Sequence, residues 1–239
     1  MAFEPLSQLM RGLTGRFSRD GQNLENAQHM AFLRQMKKEQ KQQEELMIPL
    51  DQLRFVVVDM ETTGFHPEKG DEMISLGAVA IEGGQIQSGD PFYSLVKAGR
   101  EVPQEIVELT SISDEDLNEA REPSIVLGEF FHFAGKSVLV AHHANHERAF
   151  FEQYCRSCFK TPFSHRLLDT SFFYKLVDPQ FQQIPLDELC RRLGIANRQR
   201  HHAFYDAKAT AEICCYYLEK VKAAGCVTLN DLYGKLAQL

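Results

Sequence analysis

This chain lacks any apolar run of the roughly 18 residues that a membrane span needs. Its N-terminus, MAFEPLSQLMRGLTGRF, lacks a basic segment leading into an apolar core, so no secretory signal is expected. A disulfide framework is missing too. Of the six cysteines, Cys214 and Cys215 adjoin within a helical pattern, and Cys155-Arg156-Ser157-Cys158 is a lone C-x-x-C with no second pair. These read as reduced thiols of a cytoplasmic protein rather than export staples or zinc ligands. Positive charge is not in excess: the net charge is −7, which argues against holding polyanions by bulk electrostatics. An enzyme that lets bound metals supply local positive charge is still compatible with that balance. There is no internal repeat. A content of 44% hydrophobic and 25% charged residues is that of an ordinary soluble globular protein, and 239 residues hold one full-sized domain plus an appendage.

Residues 1–50 differ in texture from the remainder. Leu24, Ala27, Met30, Ala31, Leu33 and Met36 recur at helical spacing, then comes the polar run KKEQKQQEE and Pro49 as a stop. Seven basic against six acidic residues stand there, which leaves −8 for residues 51–239. The segment reads equally as a partner-binding helix or as a solvated helix with one stripe packed down. From residue 54 the pattern alternates. Strands are expected at 54–59 and 73–81, then a third after the Gly83-Gly84 hairpin turn, ending near Val96. Further strands fall at 137–141 and 166–169. Helices are expected from Pro103, near 124–134, and at 145–155, 185–193 and 203–224, with Gly194 and Gly225 as stops. A meander followed by β-α-β-α units predicts a five-stranded mixed sheet flanked by helices, an α/β domain at 51–239 behind a helical extension at 1–50.

Chemistry is concentrated in three places. Phe55-Val56-Val57-Val58 reads as a buried strand running into Asp59-Met60-Glu61-Thr62-Thr63-Gly64. Side chains two apart on a strand share a side, so Asp59 and Glu61 project together, and each raises the other's pKa unless a cation lies between them. Hard carboxylate oxygens suit Mg²⁺ or Mn²⁺. The second place is His142-His143-Ala144-Asn145-His146-Glu147, where a strand enters a helix. The third is His201-His202-Ala203-Phe204-Tyr205-Asp206-Ala207, opening an Ala-rich helix whose N-terminal dipole favours a charged Asp206. The five histidines of these stretches argue weakly for zinc, because carboxylates dominate and His142 and His143, on adjacent strand positions, should face opposite ways. His202 reads as a solvated loop residue. The Phe172-Phe173-Tyr174 and Tyr216-Tyr217 groups read as packing.

The first and third stretches match Asp-x-Glu-Thr-Thr-Gly and His-x-Ala-x-x-Asp-Ala, and with them the chain resembles the DEDDh exonucleases (DnaQ-like), a group that includes the proofreading epsilon subunit of bacterial replicative polymerase, RNase T and oligoribonuclease. Supporting matches are Val102-Pro103, Leu109 to Ser113, Leu168-Asp169-Thr170 and Leu189 to Ile195. The likeness runs through roughly 52–222 in order. The second stretch differs from the usual His-Asn-Ala-x-Phe-Asp at His143, His146 and Glu147.

That resemblance implies an RNase H-like fold and a 3′→5′ exonuclease acting on single-stranded ends and releasing nucleoside 5′-monophosphates. Two divalent ions, Mg²⁺ or Mn²⁺, about 3.5–4 Å apart would activate water and stabilise the leaving oxygen. By the same likeness Asp59 would bridge the ions, Glu61 and Asp206 would complete one site and Glu147 the other. His201, with an unperturbed pKa of roughly 6.5, would be the general base. Thr62, Thr63, Gly64 and His142 would contact the terminal nucleotide, and Phe65 would stack on its base. Glu61-Thr62-Thr63-Gly64 is nearer the DNA-type motif than the Glu-Met-Thr-Gly of oligoribonuclease, so DNA is favoured over RNA. The partners implied are nucleic acid and, through residues 1–50, a replication or repair protein. Two other readings stand beside this one: an exoribonuclease of the RNase T or oligoribonuclease type, and a catalytically weakened binding module motivated by the altered second motif.

Overall fold

The computed structural model describes residues 43–239 except Asp90 and Gln182. The helical extension expected at 1–50 therefore lies almost wholly outside the described residues, as does the partner surface expected there.

Strand β1 (Phe55–Thr62) carries the apolar run and, in the same strand, both acids of the first motif. It pairs antiparallel with β2 (Met73–Glu82) and parallel with β5 (Val138–Ala141), which pairs parallel with β6 (Leu167–Asp169). On the far side of β2 lie two short strands, β3 (Gln85–Ile86) and β4 (Phe92–Leu95), both antiparallel to it. The sheet thus has six strands, with the order β3-β2-β1-β5-β6 and β4 also on β2. Five were expected, because the stretch after Gly83-Gly84 reads as one strand. Gly89 and Pro91 split it: a proline cannot donate to the ladder and a glycine weakens it. Gly83 and Gly84 have φ of 60° and 78°, the left-handed values that a two-residue hairpin turn requires.

The sheet is flanked by helices α1 (Gln104–Thr110), α2 (Asp114–Asn118), α3 (Pro123–Ala134), α4 (Asn145–Phe159), α5 (Ser171–Val177), α6 (Leu186–Leu193), α7 (Ala203–Ala223) and α8 (Leu229–Leu236), with a short 3-10 turn at Pro67–Lys69 after β1. Three of these, α2, α5 and α8, were not expected. Two of them begin in capping boxes that the sequence does carry, Ser113 with Asp116 and Thr228 with Asp231.

Alternation along β1 builds two cores. Phe55 and Val57 join residues of α5, α6, α7 and α8 on one face, whereas Val56, Val58 and Met60 join Val126, Leu127, Phe130, Phe150 and Phe151 on the other. Asp59 and Glu61 belong to the first face, at the end of β1 where its parallel partners β5 and β6 also finish. Three helix-bearing turns meet there. None of the helices among the described residues is long and apolar enough to cross a membrane. All six cysteines are free thiols.

Candidate active site

Asp59 lies opposite Gly77 on β2, and Gly77 lies opposite Tyr93 on β4. Residues facing each other across antiparallel strands share a side, so this row runs Asp59, a gap, Tyr93. The first turn of α7 fills the gap. A Cβ at Gly77 would stand 2.3 Å from the carbonyl carbon of Ala203 and 2.4 Å from the nitrogen of Phe204. With no side chain in the way, the helix end lies directly on the sheet and brings His201 and Asp206 to Glu61, and Asp206 close to Asp59. A glycine inside an otherwise apolar strand is a readable signal of close backbone approach, and sequence reasoning passed it over.

Two of the four acids meet at His201. The carboxylate oxygens of Glu61 and Asp206 and a ring nitrogen of His201 all lie within 4.8 Å of one another, a spacing that suits a metal ion. Glu147, in the first turn of α4, comes from the opposite face of the sheet over the end of β5 and is 3% exposed. One of its oxygens, Oε2, has no hydrogen-bond partner. Burial pushes the Asp59 carboxyl well above its ordinary value, and the charges of Glu61, Asp206 and Glu147 push it further. Burial raises Glu61 to about 8, with Asp206 adding to the effect. Glu147 is also raised to about 8, by burial first and then by Asp169 and Glu61. Four acids packed this closely fit hard divalent cations, whose charge would reverse these shifts, and the unpartnered oxygen of Glu147 is an available ligand atom.

A stability test follows. Unfolded, Glu61 and Glu147 release their protons near the ordinary 4.5, and folded they hold them to about 8. Between those values the folded state binds more protons, so stability is full below about pH 4.5 and is lost as pH rises towards 8. Melting temperature in EDTA should therefore fall steadily from about pH 5 to 8, and a flat or rising profile would contradict the clustering. Adding Mn²⁺ should reverse the fall.

Other residues stand partly where the sequence suggested. His201 has a φ of 62° and its backbone N–H donates to Asp206 Oδ2 at 3.0 Å. Burial lowers its ring pKa, Arg200 lowers it further, and Asp206 and Asp187 oppose the change. Phe65 is 77% exposed and meets the edge of His146, 5.7 Å between centroids. His146 Nε2 is 3.4 Å from Thr62 Oγ1, which donates to Gly64 O at 2.7 Å. Thr63 is used internally: its N–H donates to Glu72 O and its hydroxyl accepts from Glu72 N. Gly64 is tight for an internal reason as well, since a Cβ there would meet the Asp71 carboxylate at 2.3 Å.

His142 differs from expectation. Both its ring nitrogens are engaged inside the protein, Nδ1 with Thr170 Oγ1 and Nε2 with Ile184 O, each at 2.8 Å. Burial and then His143 lower its pKa to about 4, so the neutral ring braces the turn and offers no nitrogen to a ligand. The expected opposition of His142 and His143 also fails. β5 ends at Ala141, His143 adopts a φ of 61°, and the two rings are 4.3 Å apart, because the pair sits in a turn rather than on a strand. His202 is no free loop residue: it caps α7 by accepting from Phe204 N, and its ring stacks on Tyr93 at 4.5 Å.

Sequence reasoning missed two groups, Asn197 and Arg200, and gave no role to a third, Asp169. Asp169 accepts from Ala144 N and Ser171 N, both at 2.8 Å, tying the turn before Glu147 to α5. Asn197 donates to Asp206 Oδ1. Arg200 Nη1 donates to Asp206 Oδ2, and its Nε lies 2.7 Å from Asp187 Oδ1. Nothing in the spacing of Asn197 and Arg200 marks them. They reach Asp206 only because the chain doubles back at His201.

The exonuclease family RNase_T matches residues 56–214. The chain is 34% identical over 178 residues to the PolC-type DNA polymerase III of Thermotoga maritima, a match covering 74% of this chain and 13% of that protein. It is 38% identical over 186 residues to a DNA polymerase III subunit epsilon-like protein of Rhodobacter capsulatus, covering 76% of this chain and 26% of that one. The chain thus spans about a quarter or less of these two relatives. Among solved structures, the nuclease domain of 3′hExo, a DEDDh family member bound to rAMP, is similar at a TM-score of 0.60 and 19% identity, covering 72% of this chain and 94% of that one. At that identity the likeness establishes the fold, which is RNase H-like.

Proposed function

Because the chain belongs to the exonuclease family RNase_T, in its DEDDh (DnaQ-like) branch, we propose that it hydrolyses terminal phosphodiesters of single-stranded nucleic acid from the 3′ end. In this reading it favours DNA over RNA and releases nucleoside 5′-monophosphates. The observation that carries the reading is the meeting of Glu61 and Asp206 beside His201 at one end of the sheet, with Asp59 and Glu147 near enough for their charges to act on these acids.

In this reading the four carboxylates hold two divalent cations, Mg²⁺ or Mn²⁺. When bound, these would clamp the attacking and leaving oxygens and lower the pKa of water. The remaining work belongs to the chain. His201, kept neutral by partial burial, accepts the proton of the attacking water. Its left-handed backbone and the N–H bond to Asp206 fix where the ring stands. In this reading the exposed ring of Phe65, which meets His146, stacks on the terminal base. The turn at Thr62-Thr63-Gly64 presents backbone beside it. The pair of hydrogen bonds between Thr63 and Glu72 anchors that turn. A replication or repair protein recognised through residues 1–50 completes the proposal, in keeping with an acidic chain that holds polyanions weakly by itself.

The test is a degradation assay on 5′-labelled DNA and RNA strands of equal length. With Mn²⁺ or Mg²⁺ the labelled strand should shorten one nucleotide at a time, with DNA consumed faster. Digestion that persists in EDTA, or release of internal fragments, would refute the proposal. No turnover by the wild type, with turnover gained in Glu147→Asp, would favour the binding module instead.

A further inference from the structure

Arg200 is a cation inside an acid cluster. Its guanidinium donates to Asp206, itself 1% exposed, and reaches Asp187, which is 63% exposed. Its charge also extends to Asp59 and Glu61. Asp206 Oδ2 accepts from both Arg200 Nη1 and the His201 N–H, while Oδ1 accepts from Asn197 Nδ2. A carboxylate oxygen has about two lone-pair sites, so Oδ2 is already filled. A cation coordinated at Oδ2 has to displace one of its two donors; the Arg200 side chain can swing away where the His201 backbone N–H cannot, and the chain has a ready acceptor for it in Asp187.

We propose that Arg200 is a built-in counter-ion that competes with the divalent cation for Asp206 and withdraws to Asp187 when the cation binds. The pair Arg200 and Asp187 then sets the metal affinity of the site, which rests on reading the acid cluster as a divalent-cation site. Without a cation, the guanidinium offsets part of the repulsion among Asp59, Glu61 and Asp206. With one, a positive charge next to a positive charge opposes binding, and Asp187 lowers that cost by holding the side chain away. Because Arg200 adjoins His201 and donates to the same oxygen as the His201 backbone N–H, arrival of the cation also alters the bond that holds the backbone beside the proposed general base.

The experiment is calorimetric titration of the metal-stripped full chain with Mn²⁺ alone, in the absence of nucleic acid. It compares the wild type with Arg200→Gln, Asp187→Asn, the double variant and Asp59→Asn. Arg200→Gln should tighten Mn²⁺ binding about tenfold, from removal of one opposing charge. Asp187→Asn should weaken it severalfold. The double variant should match Arg200→Gln, because Asp187 acts only through Arg200. In melting scans, Arg200→Gln should lose stability in EDTA and regain it in Mn²⁺, which also establishes that it folds. Equal or weaker Mn²⁺ binding by Arg200→Gln would overturn the proposal and leave Arg200 as a fixed support for Asp206. Equal Mn²⁺ binding by the wild type and Asp59→Asn would sink the cation site itself, and this inference with it.

Discussion

Changing Asp59 to Asn should lower nuclease turnover by about a hundred- to a thousandfold and at the same time stabilise the metal-stripped protein. The two effects have one cause. Asp59 stands where Glu61, Asp206 and Glu147 all press on it, and its partly buried position leaves little water to relieve the charge. In EDTA at pH 8 that carboxylate is a liability, because ionising it costs more in the folded chain than in the unfolded one. Asparagine keeps the shape and removes the charge, so the melting temperature in EDTA should rise by several degrees. With the charge goes the central ligand of the proposed cation pair, and mutational losses of preorganised charge stabilisation are of order 10² to 10³ or more. In saturating Mn²⁺ the order reverses, because the wild type gains binding energy that the variant lacks. Turnover of an end-labelled strand and paired melting curves in EDTA and Mn²⁺ measure all of this. Activity within tenfold of wild type, or a lower melting temperature in EDTA, would mean that the acids do not share one centre. The trade of stability for function is expected where like charges are held together.

Whatever a period or a short motif encodes was legible in the sequence. The apolar run of β1 with its paired acids, the turn from β5 into α4 that carries Glu147, and the start of α7 with Asp206 all fall where the pattern placed them. The mixed sheet followed from the meander and the alternating units, and its RNase H-like form from the family resemblance. It differs by one strand, because Gly89 and Pro91 interrupt a stretch whose hydrophobic pattern is continuous. What could not be read depends on how the chain folds back. Arg200 and Asn197 look like ordinary loop residues until the left-handed backbone at His201 turns them onto Asp206. Asp169 ties two turns that are 25 residues apart. His142 was expected to meet substrate, and no periodicity records that both its nitrogens are already spent on Thr170 and Ile184.

Gly77 shows the difference between a residue that carries chemistry and one that makes room for it, and its substitution should be nearly as damaging as loss of an acid. Gly77→Ala places a methyl group 2.3 Å and 2.4 Å from backbone atoms of Ala203 and Phe204. Real carbon contacts of that kind start about 1 Å further out, and backbone at the head of a 21-residue helix cannot rotate aside as a side-chain tip could. The first turn of α7 must therefore lift off the sheet, taking Asp206 and His201 away from Asp59 and Glu61. Overpacking at such a site costs roughly 1–3 kcal/mol. A displacement of about 1 Å at a catalytic group costs on the order of a hundredfold in rate. Gly128→Ala is the matched control. It lies on α3, where an added methyl group would have nothing within 4 Å, and there alanine should stabilise by roughly 0.5–1 kcal/mol. Thermal melts and turnover for both variants decide the matter. If Gly77→Ala melts and turns over like the wild type, α7 does not rest on β2, and the route by which the helix delivers Asp206 to the strand acids would have to be abandoned.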